Sequence, residues 1–303
     1  MKLPIRPPII VHHQAALDDG VLRVPNSLAA IQACLDAGAP FIEIDVTALA
    51  DDDYLLVHDP ELESETSGRG AVGQTTAADA RSLSFRGTGD LKARVPFLSD
   101  VVERFLANSG QTRLQLDFKN TLPFPDDEPP RRLIRLIEPL GDRVIVSTSA
   151  DWQLRKLRQL APWLDLGLDI HFYLELPTSA APRGPEEFPR QLGAHGYLDD
   201  HPLARARYWP TAEYLADRCA FLAGLAPGVS TFYVSHRFLA RSLDDGFNWA
   251  AALHDRGIKL DAWTMDLTSA VARQNLPRLL EAGVDQITTN TPVAIGEYIT
   301  GLT

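Results

Sequence analysis

The feature that most constrains this chain is a regular alternation of short apolar segments with amphipathic helical segments along most of its length. The apolar segments are rich in β-branched residues and predict eight strands: Ile9–His13, Phe41–Thr47, Arg113–Lys119, Val144–Thr148, Leu164–Ile170, Thr231–His236, Lys259–Asp266 and Val284–Asn290. Strands that alternate with helices form parallel sheets with right-handed crossovers. Eight such units in 303 residues predict a (β/α)8 (TIM) barrel of the α/β class.

Helical patterns follow most of these strands: Ser27–Ala37, Leu98–Ala107, Pro130–Leu140, Trp152–Leu160, Glu213–Gly224, Phe247–Asp255, Ala270–Ala282 and Val293–Ile299. Gly38, Gly257 and Gly283 stand where three of the helices should end. A doubly wound open sheet is the alternative fold, but no glycine-rich phosphate-binding turn follows the first strand. We therefore predict a single barrel domain over residues 1–303.

Two segments interrupt the alternation. Residues 60–96 are rich in Gly, Ser and Thr, and residues 171–230 contain seven prolines. Both follow predicted strands, the second and the fifth, on the face where barrel enzymes carry their sites. Long loops at such a face are usually lids or specificity elements, so we expect both segments to shape a site at the barrel mouth.

Composition limits the classes of function. Hydrophobic residues make up 45% and charged residues 23% of the chain, as in ordinary globular proteins. The net charge of −11 argues against nucleic acid or an anionic membrane as the main partner. Cys34 and Cys219 are the two cysteines, so no disulfide framework is expected. Met1–Pro8 carries no signal-peptide pattern and no apolar run is long enough to span a bilayer, so we expect a cytoplasmic protein, with the oligomeric state open.

One predicted strand, Phe41–Val46, carries two acids on the same face. Strand side chains alternate, so Glu43 and Asp45 project together while the apolar side chains project toward a layer of helices. Two ionised carboxylates repel each other unless a cation lies between them. A solvated strand edge is the plain alternative, but this strand is too apolar for an edge. We therefore interpret the pair as part of a metal site.

Other polar residues stand where further strands should end, and in a barrel these ends meet at one mouth. They are His12, His13, Asp117, Lys119, His236, Trp263, Asp266 and Asn290. Glu43, Asp45 and Asp117 form a hard oxygen set suited to one divalent cation, Mg²⁺ or Ca²⁺. Zinc suits this set less well, because it includes no cysteine and the histidines are few.

Two histidines are candidates for proton transfer, because a free imidazole titrates near neutrality. His12 stands near the end of the first strand, and His58 ends an apolar run just after the carboxylate strand. Three others are expected to be packed or surface residues: His195, His201 and His254. Lys119 could simply pair with the carboxylates, and Trp263 could belong to the core.

The order of these motifs resembles that of the glycerophosphodiester phosphodiesterases, a family of (β/α)8 barrels. The family pattern runs His-Arg-Gly, Pro-Glu-Asn-Thr, Glu-x-Asp, His-Asp, Glu-x-Lys, Trp-Thr-x-Asn and a Gly-Val-Asp-x-Ile strand that ends in Thr-Asp. The corresponding segments here are His12-His13-Gln14, Pro25-Asn26-Ser27, Glu43-Ile44-Asp45, His58-Asp59, Asp117-Phe118-Lys119, Trp263-Thr264-Met265-Asp266 and Gly283–Asn290. Ser149–Trp152 is similar to the family's fourth unit. The resemblance covers nearly the whole chain except residues 171–230.

This resemblance implies a metal-dependent phosphodiesterase that acts on a small-molecule phosphodiester and releases an alcohol and a phosphomonoester of the glycerol 3-phosphate type. By position, the metal ligands would be Glu43, Asp45 and Asp117, and the cation would offset charge that develops on the phosphate. His12 and His58 would act as general base and general acid. The residues expected to contact the substrate are His13, Lys119 and Trp263.

Departures from the family pattern bear on substrate preference. His13 and Gln14 replace Arg-Gly, which removes a bidentate phosphate clamp. The glutamate of Pro-Glu-Asn-Thr is absent, Asp117 is one methylene shorter than the usual Glu, and Asn290 replaces an acid. Because the acidic pair and both histidines remain, we expect an active enzyme with an altered substrate preference.

An anionic substrate in an acidic protein needs a local cation. The segment 171–230 carries Arg183, Arg190, Arg205 and Arg207. We predict that this segment supplies substrate contacts that His13 and Gln14 do not give. The alternative for each arginine is a solvated surface charge.

Four other functions stay open on the sequence alone. A barrel that binds a phosphate ligand without turnover is favoured by the missing Arg-Gly and disfavoured by the two histidines. A lipid-headgroup phosphodiesterase or lyase of the sphingomyelinase D type predicts export and disulfides. An amidohydrolase predicts His-x-His, whereas adjacent His12 and His13 point to opposite strand faces. A metal-free phosphoinositide phospholipase does not need three carboxylates.

Overall fold

The computed structural model describes residues 7–86, 91–177 and 190–302. Its centre is a barrel of eight parallel strands: β1 (Ile9–His12), β2 (Phe41–Ala48), β3 (Arg113–Phe118), β4 (Val144–Thr148), β5 (Asp165–Asp169), β6 (Thr231–Ser235), β7 (Lys259–Trp263) and β8 (Gln286–Thr289). Each strand pairs with the next along the chain, and β8 also pairs with β1, so the sheet closes. The predicted (β/α)8 barrel is confirmed.

The longer helices are α1 (Leu28–Asp36), α2 (Leu98–Ala107), α3 (Glu128–Ile137), α4 (Asp151–Leu160), α5 (Thr211–Leu225), α6 (His236–Asp244), α7 (Trp249–His254), α8 (Ala270–Ala282) and α9 (Pro292–Thr300). Local sequence explains several of their ends. Ser27 Oγ accepts a hydrogen bond from the Ala30 amide at the start of α1. Gly283 adopts a left-handed φ of 95° after α8, a conformation that glycine reaches without strain. Helix α6 was not predicted, because it begins directly at the end of β6 without a loop.

The strands are buried on both faces, as expected for barrel strands. All eight residues of β2 are buried. Ile42, Ile44 and Val46 pack in the large core between sheet and helices. Phe41 packs inside the barrel against Val11 of β1. The alternation therefore leaves Glu43 and Asp45 facing the barrel interior above an apolar base.

The segment after β2 has its own small core. Nine buried residues form it: Leu49, Leu55, Val57, Leu62, Val72, Ala80, Leu83, Val95 and Phe97. Tyr54–Leu55 pairs antiparallel with the end of β2 and ties this core to the barrel. Val57, which is 1% exposed, anchors the chain directly before His58. The long loop therefore fixes the position of a predicted site residue.

The segment between β5 and β6 contains α5 and a short antiparallel pair, Gln191–Leu192 with Leu198–Asp199. A buried ion pair joins the two parts, because Arg218 of α5 donates from Nε to Asp199 Oδ2 over 2.7 Å. Tyr214 donates to the same oxygen over 2.6 Å. Arg183 lies outside the described residues. No helix in the described ranges is long and apolar enough to cross a membrane.

Candidate active site

A cavity of about 350 Å³ opens at the carboxyl ends of the barrel strands. Two sets of residues face each other across it. The carboxylate wall comes from β1, β2, β3 and the turns after them: His13, Glu43, His58, Asp117 and Lys119. The opposite wall comes from β5, β7 and the turns after them: Asp169, His171, Trp263 and Thr264. Four buried polar residues complete the lining, namely Gln115, Ser147, Tyr233 and Thr288.

The three predicted metal ligands lie together. Strand register places Asp45 beside Asp117 and Glu43 beside Gln115. Ligand oxygens of Glu43, Asp45 and Asp117 all lie within 4.8 Å of one another. Glu43 and Asp45 are almost fully buried, whereas 29% of the Asp117 side chain is exposed. The structure therefore brings this predicted set to one point at the barrel mouth.

Lys119 is the cation that neutralises part of this cluster. Its Nζ lies 2.9 Å from Asp45 Oδ1 and 2.7 Å from Asp117 Oδ2. Burial alone would lower the pKa of Lys119, but the neighbouring carboxylates raise it well above its usual value. The same ammonium holds the pKa of Asp45 below its usual value against the opposing effect of burial.

Gln14 and Asn26 bind the other side of the carboxylate pair. The Gln14 amide donates to Glu43 Oε2 over 2.8 Å, and its side-chain Nε2 donates to Asp45 Oδ2 over 2.7 Å. Asn26 Nδ2 donates to that Asp45 oxygen over 3.0 Å. Gln14 has a φ of 50° and Asn26 a φ of 57°, both in the left-handed region that non-glycine residues rarely adopt. Strained backbone at this place is held by bonds to the carboxylates.

The cluster fits a divalent cation on charge grounds. When ionised, three carboxylates and Lys119 leave two negative charges uncompensated, which is the charge of one such cation. Burial and the adjacent Asp45 and Asp117 raise the pKa of Glu43 well above its usual range, which reports this same excess of negative charge. An oxygen-only set is the ligand chemistry that Mg²⁺ and Ca²⁺ prefer.

The structure corrects the expectation for His12. Strand alternation turns Val11 and His13 inward and His12 toward the helices, where it is 6% exposed. His12 Nδ1 lies 2.8 Å from the Ala16 carbonyl oxygen and 3.6 Å from Cys34 Sγ of α1. Burial lowers the pKa of His12. His12 does not line the cavity, whereas His13 does.

His13 is held by a chain of hydrogen bonds from residues that follow β8 and β7. Asn290 donates from its amide and from Nδ2 to the Asp266 carboxylate, over 2.7 and 2.9 Å. This fixes the orientation of the Asn290 side chain, so its Oδ1 accepts from His13 Nδ1 over 2.9 Å. His13 Nε2, 3.9 Å from Glu43 Oε2, is left facing the carboxylates. In the neutral imidazole this Nε2 carries the lone pair.

His58 has a carboxylate partner instead. Its Nδ1 lies 2.9 Å from Asp59 Oδ1, and its backbone amide donates to Glu65 Oε2 over 2.8 Å. These three side chains are also close enough to form a second metal-ligand set. Since the hydrogen bonds already account for their proximity, we interpret them as the support that orients His58. Its side chain is 43% exposed and lines the cavity.

Two further predicted residues are Trp263 and His236. Trp263 lines the opposite wall, and its indole Nε1 is buried without a hydrogen-bond partner among the described residues. His236 does not reach the mouth, because it begins α6 and bonds to Asn275 of α8 over 3.1 Å. Burial lowers the pKa of His236 to about 4.

Sequence reasoning missed several residues of the site. Gln14 and Asn26 stand within recognised motifs, but their contacts to the carboxylates depend on positive φ values, which are not visible in a sequence. Asp169 and His171 stand at the end of the fifth predicted strand, and the same strand-end rule that found Asp117 and Lys119 would have found them. Gly167 has a structural role at this strand, since a Cβ there would lie 2.3 Å from the ring of Tyr233.

Comparison with known proteins identifies the family. The sequence model of the glycerophosphoryl diester phosphodiesterase family matches residues 20–294. A glycerophosphodiester phosphodiesterase from Caldanaerobacter subterraneus is 24% identical over 273 residues, which cover 88% of each chain. Another from Bacillus altitudinis is 26% identical over 184 residues, or 58% of this chain and 69% of that one.

Solved structures show the same fold. The crystal structure of a glycerophosphodiester phosphodiesterase from Parabacteroides distasonis superposes with a TM-score of 0.67 at 16% identity over 97% of each chain. A phosphodiesterase from Oleispira antarctica, solved with its product sn-glycerol 3-phosphate, gives 0.62 at 16% identity over 97% of each chain. Because the family model spans most of its length, the chain belongs to the glycerophosphoryl diester phosphodiesterase family, a family of phosphoric diester hydrolases.

Proposed function

We propose that this chain hydrolyses glycerophosphodiesters to glycerol 3-phosphate and an alcohol, with a divalent cation at the carboxylate wall and two histidines as base and acid. One observation carries the proposal: in a barrel of this family, Glu43 and Asp117 line the same cavity as His13 and His58, and Asp45 lies within 4.8 Å of both carboxylates. The product named for the Oleispira antarctica relative supports the substrate class.

Glu43, Asp45 and Asp117 would hold the cation. When bound, a divalent cation supplies positive charge to the phosphoryl oxygens, where negative charge develops during phosphoryl transfer. Gln14, Asn26 and Lys119 contribute by fixing the carboxylate oxygens through hydrogen bonds of 2.7–3.0 Å. Mg²⁺ and Ca²⁺ both suit these ligands.

His13, rather than His12, acts as the general base in this proposal. Asn290 Oδ1 accepts a hydrogen bond from His13 Nδ1–H, so the Nε2 lone pair is available to remove a proton from an attacking hydroxyl group. That hydroxyl belongs to water or to the glycerol moiety next to the phosphate. His12, bonded to Ala16 on the helix side, takes no part.

His58 acts as the general acid. A carboxylate such as Asp59 is a better hydrogen-bond partner for an imidazolium than a neutral amide is. As the attacking oxygen bonds to phosphorus, the bond from phosphorus to the alcohol oxygen breaks. His58 gives its proton to that leaving oxygen, while His13 takes the proton of the nucleophile. When glycerol supplies the nucleophile, a second step with water opens the cyclic phosphate that results.

The buried lining of the cavity suits a polar, hydroxylated substrate. Gln115 Oε1, Tyr233 Oη and Trp263 Nε1 are buried and have no hydrogen-bond partner among the described residues. Such groups are rare in folded proteins unless a ligand or water satisfies them. Hydroxyl groups of glycerol can serve both donors and acceptors, so we assign these atoms to the glycerol moiety.

The test is an assay of the purified protein on a panel of glycerophosphodiesters, with release of glycerol 3-phosphate as the readout. We expect turnover that a chelator abolishes and that Mg²⁺ or Ca²⁺ restores. Full activity after chelation would contradict the metal role. Binding of glycerol 3-phosphate without any turnover would instead support a ligand-binding barrel.

A further inference from the structure

The segment between β5 and β6 brings an imidazole to the cavity, not a guanidinium. Among the described residues of this segment, the cavity lining contains His171 and none of the arginines. Arg190 donates to the His171 carbonyl oxygen, and Arg207 donates to that of Ala194 over 3.0 Å. Arg205 is exposed. The site has no arginine at His13-Gln14 to pair with an anionic substrate. Protonated His171, at the opposite wall, is therefore the candidate for that cation.

His171 is held in a defined orientation. Its Nδ1 lies 3.0 Å from Asp169 Oδ1 and 2.9 Å from Ser149 Oγ. Its backbone amide also donates to Asp169 Oδ1 over 3.0 Å. A carboxylate accepts, so Nδ1 carries a proton and Nε2 is the atom left for a ligand. The ring also contacts Trp263 edge-to-face, with 6.2 Å between centroids.

We propose that His171, oriented by Asp169 and Ser149, is a substrate-binding residue that donates from Nε2 to an anionic oxygen of the diester. Only the imidazolium has a proton on Nε2 when Nδ1 already carries one. The inference rests on the proposed function for its substrate and on the contacts above for its geometry. Two sources of an anionic oxygen fit the same donor, namely the phosphoryl group itself and a carboxylate on the alcohol moiety.

The surrounding charges favour the imidazolium at this place. Burial opposes it, but the Asp169 carboxylate and, more weakly, Glu175 outweigh burial and Arg190, so the pKa of His171 lies above its usual value. Burial raises the pKa of Glu175 itself to about 7, so near pH 6 this carboxyl is mostly neutral and the support for the imidazolium comes from Asp169. The contact to the substrate should therefore be strong near pH 6 and weaken as the pH rises and the proton is lost.

The experiment compares His171→Gln with His254→Gln by steady-state kinetics at pH 6 and pH 8.5. His254 also pairs with an aspartate, Asp285, over 2.8 Å, but it does not line the cavity. Three diesters are used, in which the alcohol is neutral, carries a quaternary ammonium, or carries a carboxylate. We expect His171→Gln to raise KM about tenfold at pH 6, because a charge-assisted hydrogen bond to the substrate is lost. The rise in KM should be smaller at pH 8.5, and kcat should stay within about twofold of the wild-type value at both pH values.

A rise in KM for all three diesters identifies the phosphoryl oxygen as the ligand, and a rise for the carboxylate diester alone identifies the alcohol moiety. Unchanged KM values at pH 6, or an equal change in His254→Gln, would overturn the proposal. Asp169→Asn gives a second variant, and we expect it to shift the pH dependence of KM to lower pH. A purely structural role would not produce that shift.

The outcome for His171 can be separated from that of the proposed function. Inorganic phosphate is titrated into the wild-type protein while the imidazole signals are followed by NMR. We expect phosphate to raise the pKa of His171 and to leave the His254 signals unaffected. If no diester is hydrolysed but this shift occurs, the proposed function fails and the His171 inference stands. If the wild type is active, phosphate produces no such shift, and His171→Gln leaves KM unchanged, the His171 inference alone is refuted.

Discussion

The two walls of the cavity are built differently. The carboxylate wall is backed by buried Asp45, which accepts hydrogen bonds from Gln14 and Asn26 and forms an ion pair with Lys119. In the opposite wall, the buried indole N–H of Trp263 has no hydrogen-bond partner among the described residues, and His171 contacts Asp169 and Ser149 through its Nδ1. The first wall is fixed before substrate arrives, and the second keeps polar atoms available for it.

This difference indicates that the two walls have different roles in catalysis and in substrate binding. Preorganised charges lower the barrier of the chemical step, because they need no rearrangement as charge develops. Groups with open hydrogen-bonding capacity contribute to binding and to the choice of substrate. We therefore expect substitutions in the carboxylate wall to act on kcat and those in the opposite wall to act on KM.

The largest effect should come from Asp45→Asn. The change keeps the shape of the side chain but removes a carboxylate from the predicted metal set and from Lys119, so kcat should fall by about 10³-fold. Steady-state kinetics together with a melting curve distinguishes a loss of catalysis from misfolding. Asp53→Asn is the matched control, because Asp53 is also a buried carboxylate but binds Ser99 away from the cavity. A loss confined to KM would break the comparison between the two walls.

A smaller effect should follow from exchanging Asp266 and Asn290, the pair of residues that orients His13. The family pattern has Asn where this chain has Asp266, and Asp where it has Asn290. Asn290→Asp would bring two carboxylates together and Asp266→Asn would remove the anchor of Asn290, so each should lower kcat by about tenfold. The double variant restores a donor–acceptor pair and should regain most of the activity, with a coupling energy of about 1–3 kcal/mol. Additive losses in the double variant would show that the pair does not orient His13.

Much of the fold and of the carboxylate wall could be predicted from sequence. Strand periodicity placed Glu43 and Asp45 on one face, and parallel register brought Asp117 beside them. The same periodicity separates His12 from His13, but it does not say which of the two faces inward. The motif alignment chose His12, and the structure places His13 at the cavity. One residue of register therefore decides the identity of the proposed base.

The opposite wall could not be predicted in the same way. The segment 171–230 carries none of the motifs on which the sequence resemblance rested, although the family model spans it. On charge alone, its arginines were better candidates for anion binding than a histidine. Arg190 instead bonds to a backbone carbonyl group, a contact that depends on tertiary packing. Helix α6 was missed for a related reason, because no turn residue separates it from β6. Local sequence does not encode such contacts between distant segments.

The central claim is that hydrolysis takes place at the inward face of β1, with His13 as the base. Turnover numbers of His13→Ala and His12→Ala, measured side by side on a glycerophosphodiester with saturating divalent cation, test it most directly. We predict that His13→Ala loses about 10²–10⁴-fold in kcat, the usual contribution of a positioned general base. His12→Ala should keep near-wild-type kcat and show its effect in the melting temperature, because it removes a packed side chain next to Cys34. Near-normal turnover in His13→Ala, together with loss of turnover in a well-folded His12→Ala, would contradict the account.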